Sequence, residues 1–157
     1  WGEGRHIKRI TKIDVNTGIV LTNGVFDILH KGHIELLKFS KIQGTKLIVA
    51  IDSDRRVKEF KGNDRPINNQ EDRRRILETN RYVDEVVIFD SVEELQELYD
   101  TLSPDVIVKG SEWTADEVRE RDNIPENIQI KVYPLVGDYS TTNTMNKIRD
   151  METCEKI

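Results

Sequence analysis

Cysteine is all but missing: Cys154 is the only one in 157 residues. An intramolecular disulfide is therefore excluded, and a reducing compartment, the cytoplasm, is the expected setting. No apolar run reaches the roughly 18 residues that a membrane-spanning helix requires, and there is no secretory h-region, so no membrane partner is expected. An excess of positive charge is also lacking. The formal net charge is -5, which gives no overall field for a nucleic-acid backbone and leaves anion binding to local groups. Both common phosphate loops are absent as well: neither G-x-x-x-x-G-K-[ST] nor G-x-G-x-x-G occurs, so a P-loop and a dinucleotide fingerprint are ruled out. Histidine is scarce, with three in the chain. A zinc site would have to draw on His6 and the distant Cys154 beside His30 and His33, and no metal ligands are expected. The first residue is Trp1, which raises the expectation of a processed, trimmed or tagged chain, or of a piece of a longer polypeptide.

What is present is enough for one core. Hydrophobic residues make up 36% and charged residues 34%, and the length suits a single domain of about 100–150 residues. Residues 1–17 read as an N-terminal arm or strand and 18–157 as the domain. Gly18 to Leu21 is an apolar run, and Thr22-Asn23-Gly24 leads out of it into a segment with helical spacing from His33 to Lys41. Lys46–Ile51, Val83–Phe89, Asp105–Lys109 and Ile128–Tyr133 read as further strands. Asn69–Asn80, Val92–Leu102 and Ser140–Arg149 read as helices between or after them. Strands that alternate with helices and are apolar on both faces imply an α/β, doubly wound parallel sheet of about five strands with helices on both faces. The charge-rich stretch from Thr114 to Asn127 reads as a loop or insertion.

In such a sheet ligands sit outside the carboxyl ends of the strands, where helix N-termini offer amides and partial positive charge. His30 and His33 straddle Gly32 at the first such place. Both rings can face one anion there, and Gly32 lets phosphate oxygens approach the backbone. A bare His-x-x-His also fits a capping residue and a surface residue. The surrounding residues decide between these readings.

Thr22-Asn23-Gly24-Val25-Phe26-Asp27-Ile28-Leu29-His30-Lys31-Gly32-His33 resembles the H-x-G-H signature of the cytidylyltransferase-like nucleotidyltransferase superfamily, whose fold is Rossmann-like. Three later segments extend the resemblance: Lys61-Gly62 with Arg65-Pro66-Ile67-Asn68, Pro104-Asp105-Val106-Ile107-Val108-Lys109-Gly110, and Ser140-Thr141-Thr142. Together they look most like the adenylyltransferases of ADP-heptose synthesis. Ile76 to Val86 looks like the matching helix and strand of the glycerol-3-phosphate cytidylyltransferases. The resemblance implies in-line attack by a substrate phosphate on the α-phosphorus of a nucleoside triphosphate, with release of pyrophosphate. It assigns His30, His33 and Lys61 to catalysis. Thr22, Asn23, Gly24, Phe26, Gly32, Lys109, Gly110, Glu112, Trp113, Ser140, Thr141 and Thr142 are expected at the nucleotide. Asp27, Arg73 and Arg81 are expected at substrate or phosphate. Mg2+ is expected to arrive on the triphosphate, the acceptor to be a phosphorylated sugar or polyol, and the protein to be a homodimer.

The pattern departs from the family at three places. Glu112 replaces the usual Asp, Leu135 stands at the arginine of the cytidylyltransferase R-T-E-G-I-S-T pattern, and Asp138 replaces the glycine two residues before the serine. Loss of that arginine favours ATP over CTP. A module that binds nucleotide without turning it over is the alternative from another functional class.

Overall fold

The computed structural model describes residues 18–110, 114–134 and 140–156. The arm expected over 1–17 lies outside the described residues. Five strands form one all-parallel sheet: β1 (Ile19–Gly24), β2 (Lys46–Asp52), β3 (Glu85–Phe89), β4 (Val106–Gly110) and β5 (Gln129–Tyr133). Six helices connect or follow them: α1 (Lys31–Lys41), α2 (Asp54–Lys61), α3 (Gln70–Glu78), α4 (Val92–Leu102), α5 (Ala115–Asp122) and α6 (Thr141–Lys156). The sheet order is β3-β2-β1-β4-β5, which reverses direction between β1 and β4. This is the expected α/β doubly wound architecture.

The strands are buried on both faces because alternate residues enter two separate cores. Leu21, Ile48, Ala50 and Ile107 point to one, where Leu95 and Tyr99 of α4 and Val118 of α5 close it. Val20, Leu47, Val49, Ile51 and Val108 point to the other, against Leu37 of α1 and Leu77 of α3. A period of two along each strand thus feeds both layers. The turn before β2 comes so close to the start of β1 that a Cβ on Gly44 would lie 2.5 Å from the Gly18 carbonyl oxygen.

The structure differs from the sequence expectation in two connecting segments. Residues 54–61 form α2, a helix that the sequence pattern does not signal. Ser53 caps it by accepting from the Arg56 amide, and Gly62 ends it at φ 106°, a backbone angle suited to glycine. The stretch from Thr114 is likewise no open loop, since Thr114 and Glu117 form a capping box that starts α5. Asn123 ends that helix in the left-handed region, and the buried Val118 pins it to the sheet. β1 also runs three residues further than expected, to Gly24, because Thr22 pairs within the sheet.

Candidate active site

β1 delivers its last residues, Asn23 and Gly24, to the point where the sheet order reverses. The loop beyond it is held in an unusual shape, with Phe26 at φ 53° and Ile28 at φ 48°. For side chains other than glycine this conformation is uncommon, costs on the order of 1–2 kcal/mol each, and survives only where surrounding contacts dictate it. The contacts come from three sides. Arg73 of α3 donates from Nη1 to the Val25 carbonyl at 2.9 Å. The Asp27 carboxylate accepts from the Ile67 and Asn68 amides at 2.6 and 3.0 Å. The Thr141 hydroxyl at the start of α6 donates to the Asp27 and Ile28 carbonyls.

This loop presents α1. His30 is its N-cap: Nδ1 accepts from the Gly32 amide at 3.0 Å, while His33 Nδ1 accepts from the His30 amide at 3.2 Å. The two rings stack with centroids 3.9 Å apart, and Phe26 packs 5.3 Å from the His33 ring. The two rings therefore cap the helix and border the cleft at once. With each Nδ1 accepting a backbone hydrogen, the neutral rings carry their proton on Nε2. Burial pushes the His33 imidazolium down to about 4, with the neighbouring His30 adding to the shift. Burial also lowers His30. Both rings are neutral Nε2–H donors at neutral pH.

A cleft of about 810 Å3 opens over this helix end. His30, His33, Gly32 and Phe26 border it on one side, and Ser140, Thr141 and Thr142 at the start of α6 border it on another. Ser140 caps α6, its hydroxyl accepting from the Asn143 amide at 2.9 Å. Two helix N-termini therefore converge on one space, each adding partial positive charge. Asn23, Gly24, Lys109 and Gly110 line the floor, and Lys61 at the end of α2 stands at the rim. Lys109 joins β4 to β1 through a 3.0 Å hydrogen bond from Nζ to Asn23 Oδ1, and it pairs with Asp122 at 3.3 Å. Burial lowers its pKa against the pull of Asp122. A second lobe of about 450 Å3 shares Asn23, Gly24, Lys61 and Lys109 with the cleft and extends toward Asp52 and Arg56.

The cytidylyltransferase-like family model matches residues 21–154. The chain belongs to that family. It is a nucleotidyltransferase domain. The bifunctional protein HldE of Campylobacter fetus is 46% identical over 131 residues, which is 83% of this chain and 28% of that protein. HldE of Aliarcobacter butzleri is 41% identical and matched over 95% of this chain and 32% of its own length. The chain thus spans about a third or less of the curated relatives it matches. Among solved structures, a lipopolysaccharide core biosynthesis protein from Thermoplasma volcanium is similar at 27% identity. Its TM-score is 0.61, over 78% of this chain and 98% of that one. A pantothenate synthetase from Thermus thermophilus shares the fold at 13% identity with a TM-score of 0.58, over 86% of this chain and 65% of that one.

Three residues expected at substrate or nucleotide are bonded into the scaffold of this family fold, and a fourth, Arg81, lies away from the cleft. Thr22 is 0% exposed, and its hydroxyl donates to the Val108 carbonyl at 2.9 Å. Asp27 spends both carboxylate oxygens on the backbone of the 65–68 loop, so it fixes that loop and not a phosphate. Arg73 is 1% exposed, and its guanidinium is consumed by the carbonyls of Asn68, Val25 and Asp52 and by the Asp54 carboxylate. Arg81 is exposed and precedes β3, at the amino edge of the sheet, whereas the cleft lies at the carboxyl edge. Glu112, Trp113, Leu135 and Asp138 lie outside the described residues. Arg65 belongs to the Arg65-Pro66-Ile67-Asn68 segment and carries no expected role. The structure puts it in the wall of the cleft, and no local spacing signals that burial.

Proposed function

We propose that this domain is an adenylyltransferase of the ADP-heptose synthesis type, transferring AMP from ATP to a heptose 1-phosphate. The observation that carries the reading is the pair of neutral Nε2–H donors capping α1, facing the start of α6 across one cleft with Lys61 at its rim. Its support from relatives is the likeness to HldE and to a lipopolysaccharide core biosynthesis protein. An oxygen of the acceptor phosphate forms a bond to the α-phosphorus as the bond from that phosphorus to the bridging oxygen breaks. Pyrophosphate leaves with the electron pair. His30 and His33 donate to the phosphate oxygens as charge builds, and the amides at the start of α6 hold the tail of the triphosphate. The attacking phosphate is already ionised, so no general base is needed.

Mg2+ suits this site as a passenger of the triphosphate. Among the described residues no cluster of three or more His, Cys, Asp or Glu could hold a metal, and Mg2+ keeps several waters and few protein carboxylates. No helix among the described residues is long and apolar enough to cross a membrane. A homodimer working in the cytoplasm completes the proposal.

The test is pyrophosphate release by the purified protein, with ATP or CTP and with heptose 1-phosphate or glycerol 3-phosphate. Turnover is expected with ATP and the sugar phosphate. Preference for CTP with glycerol 3-phosphate would replace this reading by a cytidylyltransferase. Tight triphosphate binding without release from any acceptor would replace it by a binding module.

A further inference from the structure

Arg65 lies in the loop between α2 and α3, is 9% exposed, and borders the same cleft as His30 and Lys61. Its Nε is shut off from solvent without a hydrogen-bond partner. Among the described residues, none accepts from its guanidinium or pairs with it. Arg73 provides the contrast, being more deeply buried with every branch of its guanidinium bonded. Leaving the Nε–H of a guanidinium buried without an acceptor is unfavourable, and an anion in the cleft would supply one. Here the main chain of the residue is fixed and its side chain borders the cleft. The Arg65 amide donates to the Gly62 carbonyl at 3.2 Å, and its carbonyl accepts from Lys58 Nζ at 3.3 Å. Just beyond, the Ile67 and Asn68 amides are fixed on Asp27, which holds this loop at the edge of the cleft.

We propose that Arg65 binds the phosphate of the acceptor, the group whose oxygen attacks the α-phosphorus. The inference rests on the adenylyltransferase reading above. The triphosphate already has the α1 cap and the α6 N-terminus. Arg65 and Lys61 come instead from the segment after β2, and Lys61 also borders the side lobe, which offers room for the body of the acceptor. An in-line displacement needs the nucleophile opposite the leaving pyrophosphate, and two phosphates repel as they close. A guanidinium and an ammonium on the acceptor side offset that repulsion. The planar fork of Arg65 also orients the attacking oxygens.

Arg65→Gln in the full chain tests the assignment. The KM for the sugar phosphate is expected to rise about tenfold to a hundredfold, the value of one hydrogen-bonded charge, while the KM for the nucleotide changes little. The Tm of the ligand-free variant should match or exceed that of the parent, because the guanidinium makes no bond in the fold and its buried Nε is removed. A second measurement needs no turnover: the thermal upshift given by inorganic phosphate with the nucleotide site filled by the α,β-methylene analogue of ATP. The parent should show this upshift and the variant should lack it. An unchanged acceptor KM, a rise confined to the nucleotide KM, or a lowered ligand-free Tm would each overturn the proposal. If the parent protein turns over no acceptor, the adenylyltransferase reading fails, and the phosphate upshift alone decides Arg65.

Discussion

His30 and His33 each perform two tasks with different atoms, so the tasks can be separated by substitution. Nδ1 serves the helix cap and Nε2–H serves the anion. Asn is a strong N-cap residue, so His30→Asn keeps an acceptor for the Gly32 amide and removes the donor facing the cleft. Turnover is expected to fall about a hundredfold to a thousandfold, with little loss of Tm. An equal loss of Tm and rate would mean that the ring matters only as a cap. His33→Gln likewise keeps the reciprocal cap, since Gln fills that role in capping boxes, and it removes a titrating group. The folded His33 has its pKa depressed from 6.5 to about 4, so between these values the unfolded chain binds the extra proton and the folded one does not. The stability His33 supports is whole above pH 6.5 and is lost as pH falls toward about 4. Melting curves across that window should show a steeper acid loss for the parent than for His33→Gln.

At the scale of elements, the loop from Val25 to His30 is shaped by its neighbours, and substitutions in those neighbours should act through stability. Arg73→Met strands three carbonyls and the Asp54 carboxylate. Breaking a buried charged network of this kind costs about 3–5 kcal/mol, to be read from urea unfolding. A variant with parental stability and a raised substrate KM would return Arg73 to the substrate. This division also explains what the sequence could and could not reveal. Helix α4 was legible to its ends, because Leu95, Leu98, Tyr99 and Leu102 repeat at helical spacing. The parallel sheet was legible from strands apolar on both faces. Helices α2 and α5 were not, since each buries one apolar residue, Val57 and Val118 respectively, and periodicity needs several. Their caps, Ser53 and the Thr114 and Glu117 pair, were the available signals. In the site, His30 and His33 were legible because cap and helix are contiguous in the chain. Arg73 and Arg65 could not be told apart, because their partners lie on other elements and only folding decides which guanidinium is satisfied.

Over the whole molecule the parallel sheet divides labour between its two edges. All five strands point the same way, so their carboxyl ends share the edge of the sheet that carries the cleft and their amino ends share the other. The segments after β1 and β2 supply the histidines and Lys61 with Arg65, and the carboxyl end of β4 supplies Gly110. Arg81 lies between α3 and β3, on the far edge, exposed to solvent. A guanidinium there has no path to a phosphate in the cleft without crossing the sheet. Arg81→Ala should therefore leave both KM values and the turnover rate unchanged and alter stability by less than about 0.5 kcal/mol, as for an ordinary surface position. Lys61→Ala, at the exposed end of α2, should be equally mild for folding yet weaken turnover, because its ammonium borders both lobes of the cleft. Measured side by side, the two cations separate position in the fold from charge itself. A tenfold rise in acceptor KM for Arg81→Ala would require Arg81 to reach a site of its own, such as one completed by a second copy of the chain.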